Sequence, residues 1–233
     1  MQEDTLKQFL PATESWFRKT FGEPTKIQRE AWPAIADGKH VLVSAPTGTG
    51  KTLSAFLVFI DQLGGLAERG ELKEELYVIY VSPLKSLAGD IRENLRKPLE
   101  GIGAEAPGES KPESRPGNPS IGQIQAAIRT GDTPQKERQR MVKHPPHILI
   151  ITPESLYLML TSKSGRQVLK TAKAIILDEL HALIDTKRGA HLMLSVARLD
   201  KLCGRRLQRI GLSATIEPLE LAAAYLSSER LLS

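Results

Sequence analysis

The 233-residue chain is 40% hydrophobic and 25% charged, with a formal net charge of +5 and a sequence pI of about 9.3. Its single cysteine, Cys203, excludes an internal disulfide and fits a reducing, cytoplasmic compartment; no apolar run of membrane-spanning length and no charged-then-apolar leader is read. A chain of this length buries a core without covalent staples, and its basic balance leans towards a polyanionic partner.

Residues 1 to about 40 read as helical. Val41–Val43 then reads as a strand that ends at a glycine loop, with a helix from Thr52 to about Ala67. Leu76–Val81 is a continuous apolar run, the pattern of a strand buried on both faces. A helix follows from Leu84 to about Leu95. Gly101–Ser120, rich in Gly, Pro, Ser and Glu and without a hydrophobic period, predicts a flexible surface loop inside the domain. Further strands are predicted at Ile121–Ile128, His147–Ile151, Ala174–Leu177 and Leu207–Leu212, with helices at Pro134–Val142, Ser155–Leu160 and Ala190–Leu202. The residues after Leu226 read as a frayed end or a cut. This alternation predicts one α/β domain over residues 1–233, with a mostly parallel sheet and helices on both faces. The strands end in polar motifs, which predicts a ligand crevice along that edge.

The loop Ala45–Thr52 lies between a strand and a helix, the context that a nucleotide phosphate loop requires. Gly48 and Gly50, with Thr47 and Thr49, let backbone amides approach phosphate oxygens. Lys51 adds a point charge at the β- and γ-phosphates, and the Thr52 hydroxyl can ligate Mg²⁺. One departure from G-x-x-x-x-G-K-S/T is Ala45 at the first position. Ala174–Leu177 runs into Asp178-Glu179-Leu180-His181. Asp178 can hold Mg²⁺, usually through water, and Glu179 can orient or deprotonate an attacking water. His181 reads as a coupling hydrogen-bond partner of Ser213 or Thr215; no Cys or further His cluster supports a zinc site.

A phosphate loop, Asp-Glu-x-His and Ser213-Ala214-Thr215 together resemble the superfamily 2 helicases of the DEAD/DEAH-like class. Other motifs of that class follow in order. Glu23–Gln28 looks like the Q-motif, Ser82–Leu87 motif Ia, Arg129–Asp132 motif Ic and Thr152–Ser155 motif Ib. The resemblance covers about residues 20 to 216. It implies a RecA-like P-loop NTPase domain in which Gln28 reads adenine, ATP and Mg²⁺ are the cofactors, and Lys51, Asp178 and Glu179 carry hydrolysis. It also implies that Ser82, Lys85, Thr130, Gly131, Thr152 and Ser155 hold the sugar-phosphate backbone of one strand. Such a surface needs hydroxyls, cations and backbone amides, not base-reading side chains.

Within the class, Gln28–Ile35, Arg129–Thr133, Pro145–Ile148, Thr152–Tyr157 and Lys187–Leu192 are similar to the Lhr ("large helicase-related") group. That similarity implies a 3′→5′ translocase on single-stranded DNA or RNA·DNA hybrids, with DNA favoured and RNA possible. Leu180 stands where the group suggests Ile. Nothing resembles motifs IV, V and VI. The expectation is therefore the first motor domain of a longer protein, incomplete for unwinding alone, whose second RecA-like domain would bring an arginine finger. A stand-alone nucleotide-dependent regulatory or adaptor domain, and a non-unwinding translocase of the same superfamily, are the alternatives. Thr152 and Ser155 also read as helix-capping residues, Lys136–Lys143 as a solvated basic face and Trp32 as packing.

Overall fold

The computed structural model of the chain describes residues 4–46, 48–83, 87–105 and 123–227, of residues 87–90 the backbone only. Six strands form one sheet: β1 (Val41–Ser44), β2 (Val78–Val81), β3 (Ala126–Arg129), β4 (Ile148–Ile151), β5 (Ala174–Leu177) and β6 (Gln208–Ser213). The order is β1-β6-β5-β2-β4-β3, and every pairing is parallel. Parallel neighbours need crossover connections, and helices supply them here. Successive side chains on a strand point to opposite faces. Val78, Tyr80, Ile148, Ile150 and Ile176 therefore pack into one apolar layer, and Ile79, Val81, Leu149, Ile151 and Ile175 into the other.

The first layer is closed by α1 (Pro11–Phe21), α2 (Lys26–Ala36), α3 (Lys51–Glu68) and α4 (Leu87–Glu105). Its N-terminal part is aromatic. Trp32 is fully buried, with the rings of Phe9 and Phe17 edge-on to it at 4.9 and 5.3 Å between centroids, so it serves packing, as predicted. The second layer is closed by α5 (Gln135–Lys143), α6 (Pro153–Thr161), α7 (Lys163–Leu169), α8 (Lys187–Cys203) and α9 (Leu219–Ser227). The short α7 was not predicted from the sequence. Nor was α9, whose Ala222 and Leu226 are buried.

The predicted loop at Gly101–Ser120 needs correcting at its start. Gly101–Glu105 is the last turn of α4, and residues 106–120 lie outside the described residues. Pro98 and Gly101 argue locally against helix, but Ile91, Leu95, Leu99 and Ile102 keep a stripe of apolar residues on the first core. The end of α4 is also tied to α1: Lys19 pairs with Glu105 at 2.6 Å, and the Ser15 hydroxyl donates to the same carboxylate at 2.8 Å. A Cβ added at Gly101 would stand 2.0 Å from Trp16 Nε1, so the indole occupies the place of the missing side chain. Helix propensity alone has Gly101→Ala stabilise the chain by about 1 kcal/mol. The packing reverses the sign: the variant should lose about 1–3 kcal/mol. Urea denaturation of the two proteins decides, and a more stable variant would remove the Trp16 contact from the account.

Candidate nucleotide and nucleic-acid site

The loop after β1 turns through two glycines with positive φ, Gly48 at 82° and Gly50 at 84°, a region that side chains resist. Gly50 caps α3, and Lys51 opens it. The Lys51 ammonium donates to the carbonyls of Ala45 and Pro46, the latter at 2.8 Å, and the Thr49 hydroxyl donates to the Pro46 carbonyl at 2.8 Å. Thr47 lies outside the described residues. Ala45, the departure from the usual glycine, is buried and has no positive φ. Its N–H donates to the Ser213 carbonyl at 3.2 Å, so the first loop position extends strand pairing and accepts a side chain.

Gln28 reaches this loop from α2. Thr25 and Gln28 form a capping box: the Gln28 N–H donates to Thr25 Oγ1 at 3.3 Å, and the Thr25 N–H donates to Gln28 Oε1 at 2.9 Å. The other amide atom faces the loop, since a Cβ on Gly50 would meet Gln28 Nε2 at 2.8 Å. The predicted adenine reader is thus held by a helix cap and set against the phosphate loop.

Asp178 follows β5 and is 8% exposed. Its Oδ2 accepts from the Tyr80 hydroxyl at 2.5 Å, and its Oδ1 from the Glu179 N–H at 2.9 Å. Burial pushes the Asp178 carboxyl above its ordinary value, against the opposing bond from Tyr80 and the charge of Lys51. Burial also pushes the Tyr80 phenol well up, which keeps it a donor. Tyr80 was missed in the sequence. Its one signal was a phenol inside an apolar run, since a buried tyrosine hydroxyl needs a partner. Among the described residues no cluster of three or more His, Cys, Asp or Glu side chains could cage a metal. A single buried carboxylate with the Thr52 hydroxyl after the phosphate loop suits instead an ion that takes one or two protein oxygens and completes its shell with phosphate and water, as Mg²⁺ does.

Glu179 is a non-glycine residue with positive φ, 52°. Its carboxylate stands 3.2 Å from His181 Nε2. His181 Nδ1 accepts the Ala214 N–H at 3.2 Å and lies 3.4 Å from the Ser213 hydroxyl. An amide can only donate, so Nδ1 carries no proton in this arrangement, and the ring proton at Nε2 faces Glu179. The predicted coupling bond therefore runs from the acid after β5 to the end of β6 through Ser213 and Ala214. Thr215 is exposed and takes no part in it.

The ends of β2, β4 and β3 form the other half of the crevice. Ser82, Thr152 and Thr130 each stand one residue past a shared register, in which Val81 is paired with Ile151 and Ile151 with Arg129. Thr152 and Ser155 are buried and cap α6: Thr152 Oγ1 accepts the Ser155 N–H at 3.4 Å and donates to Ser155 Oγ at 3.1 Å. Ser82 is buried as well, its N–H on the Ile151 carbonyl at 3.0 Å. Lys85 lies outside the described residues. After β3, Thr133 Oγ1 accepts the Thr130 N–H at 2.9 Å, and Thr130 Oγ1 accepts the Asp132 N–H at 3.3 Å. Arg138 fixes this turn, donating to the carbonyls of Thr133 and Gly131, both at 2.6 Å. The basic helix read as a solvated face thus contributes one structural arginine. Arg188 pairs with Glu154 through both carboxylate oxygens, at 2.6 and 3.1 Å, and holds that carboxyl below its usual range.

The family profile of the DEAD/DEAH box helicases matches residues 25–222, from the Thr25 cap through β6. The chain belongs to the DEAD/DEAH box helicase family. Among its relatives is the ATP-dependent helicase Lhr-Core of Methanothermobacter thermautotrophicus, 49% identical over 216 residues, which cover 93% of this chain and 24% of that protein. The Lhr helicase/uracil glycosylase of Escherichia coli is 45% identical over 228 residues, which cover 95% of this chain and 14% of that one. The solved structure of Mycobacterium smegmatis helicase Lhr bound to ssDNA and AMP-PNP superposes with a TM-score of 0.85 at 48% identity, covering 96% of this chain and 27% of that one. The helicase domain described here thus has the RecA-like fold and the Lhr similarity that its motifs predict. It spans about a quarter or less of these relatives.

The buried acid of this helicase domain gives a pH signature. Because burial raises Asp178, the folded chain binds that proton more tightly than the unfolded chain does. Its stabilising contribution is therefore complete below the unfolded value near ~4 and is lost as pH rises through the raised folded value. Without divalent cations, thermal melts of wild type and Asp178→Asn from about pH 4 to about pH 7 should show the difference moving against wild type. A difference independent of pH would contradict the burial effect.

Proposed function

We propose that this domain binds ATP with Mg²⁺ and hydrolyses it to drive movement along one nucleic-acid strand, as the first motor domain of an Lhr-like helicase acting in the cytoplasm. The observation that carries this reading is the strand order. β1, β6 and β5 bring the phosphate loop, Ser213 and Asp178 together, while β2, β4 and β3 line up Ser82, Thr152 and Thr130. Each half thus gathers the residues of one task, and the relative from Mycobacterium smegmatis is described with both a nucleotide analogue and ssDNA.

In this reading Gln28 holds adenine, and Thr47, Gly48, Thr49, Gly50 and Lys51 hold the phosphates. Thr52 and Asp178 would hold Mg²⁺, which supplies positive charge at the β- and γ-oxygens. Glu179 receives the proton of the attacking water and is oriented by His181. His181 relays the state of that acid to Ser213 and Ala214 at the end of β6, with Thr215 beside them. On the other half, Lys85 contributes charge, and Thr130, Gly131 and the turns at Ser82, Thr152 and Ser155 offer hydroxyls and amides to the strand's phosphates. The buried caps at Thr152 and Ser155 support this role by fixing the backbone there. A second RecA-like domain would supply the remaining charge stabilisation, of the kind an arginine finger gives.

In the full-length protein, Glu179→Gln should bind ATP as wild type does and lose turnover by about a hundredfold or more. Normal turnover would remove Glu179 from the reaction. Translocation without strand separation would assign the protein to the non-unwinding motors. For adenine, Gln28→Glu is the sharper variant. It keeps the capping box, in which Glu is as good as Gln, and removes the amide donor. The ratio of ATP to GTP affinity in the 233-residue chain should fall by about tenfold, the size of one hydrogen bond. An unchanged ratio would take Gln28 away from the base.

A further inference from the structure

The positive charge of the chain is unevenly spread. Residues 161–210 carry eleven Lys and Arg against four Asp and Glu, so the rest of the chain has a slight acidic excess. Arg166 lies on α7 and Lys170 caps it one turn later, Lys201 is in the last turn of α8, and Lys173, Arg205 and Arg206 lie in the segments that lead into β5 and β6. All six are exposed. The fold gathers them. The Arg205 guanidinium donates to the carbonyls of Thr171 and Ala172 at 3.1 and 2.9 Å, the Cys203 thiol meets the Leu169 carbonyl at 3.4 Å, and the Gln208 N–H donates to the Lys173 carbonyl at 3.1 Å. The six cations therefore share the pole at the N-terminal ends of the strands, opposite the crevice.

Among the described residues none of the six forms an ion pair with a carboxylate, whereas Arg18, Arg69, Arg96, Arg188 and Arg209 each do. The acid nearest in sequence, Asp200, is turned inward: it pairs with Arg209 at 2.6 Å and accepts the Leu207 N–H at 2.9 Å. On the adjoining loop Glu74 meets His144 at 2.8 Å, and Glu75 lies beside the Tyr77 phenol. Lys173 stands over the Tyr77 ring, 4.5 Å from its centroid. Like charges gathered without counter-charge repel one another, and a polyanion relieves that repulsion.

The make-up of the patch selects the polyanion. A protein partner calls for apolar or aromatic anchors at the centre of its interface, and a single strand calls for rings on which its bases stack. Among the described residues the patch offers neither. Tyr77 is buried, and Leu194, the exposed leucine nearest along the chain, stands about two turns before Lys201. Cations alone, spread over two helix ends and the turns beside them, fit the phosphates of a duplex, whose bases are already stacked on one another. We propose that this pole is a second nucleic-acid surface, which holds a duplex by its backbone without reading sequence. It lies apart from the crevice and does not depend on the strand-binding reading above.

The test is a salt series. Fluorescence anisotropy of a labelled blunt DNA duplex with the 233-residue chain gives log affinity against log salt. Each phosphate contact on B-DNA contributes about 0.9 to the slope. Lys170→Gln combined with Lys201→Gln should therefore lower the slope by about 1.8 and weaken binding about tenfold or more at low salt. Lys7→Gln combined with Lys97→Gln removes the same net charge from exposed positions outside the patch and should keep the wild-type slope. Both double variants should bind a nucleotide analogue and melt as wild type does. Absence of duplex binding at low salt, an unchanged slope in the patch variant, or an equal loss in both double variants would each overturn the proposal. Polyglutamate probes the competing occupant. If its binding needs Lys170 and Lys201 while the duplex slope does not, the pole is a docking face for an acidic protein segment, and the proposal fails. If wild type binds the duplex but not oligodeoxythymidine, the strand-binding reading fails and this one stands.

Discussion

The hydrogen bond from the buried Tyr80 hydroxyl to Asp178 is the contact on which the site depends. Tyr80 lies on β2, which pairs with β5, the strand that Asp178 follows. Its ring stacks on Phe56 of α3 at 4.8 Å between centroids, so the phenol is fixed by the helix that the phosphate loop opens. A carboxylate taken out of water is costly unless something donates to it. Tyr80 and the Glu179 amide supply two donors. The same tyrosine belongs to the strand that Ser82 follows, so Asp178 is tied to β2 as well as to its own strand.

A second link runs through His181. Its acceptor nitrogen is claimed by the Ala214 amide, which turns the remaining ring proton towards Glu179. The positive φ of Glu179 lies in the same turn. The imidazole thus joins the acid after β5 to the end of β6.

Most of this was legible in the sequence, because the strands are buried on both faces and end in polar motifs. Continuous apolar runs such as Ile148–Ile151 and Ala174–Leu177 leave few alternatives to a parallel sheet. The phosphate loop could be read because glycine, lysine and threonine at fixed spacing serve one chemistry. Other features depended on tertiary partners. The last turn of α4 was hidden because Pro98 and Gly101 are breakers locally, while Trp16, eighty-five positions earlier in the chain, fills the glycine's empty side. Tyr80 read as one more apolar residue, since nothing local reveals which carboxylate will face its hydroxyl. Arg138 read as part of a solvated face, and Arg188 had no partner visible in the sequence; only the fold shows that one holds a turn and the other a facing acid.

The strand order also sets a timetable for assembly. The sheet gives β1 a single neighbour, β6, and the contact between Ser44 and the Ala214 carbonyl joins positions 170 residues apart. The phosphate-loop strand thus leaves the ribosome well before β6, and must wait for it before it can dock. At about 5–20 residues per second, that wait is on the order of ten seconds or longer, and contacts this distant in sequence form slowly even in a complete chain. The Ala45 N–H and the Ser44 hydroxyl can take their places only once β6 has arrived. The phosphate loop is therefore fixed to the sheet only after the last strand has been built.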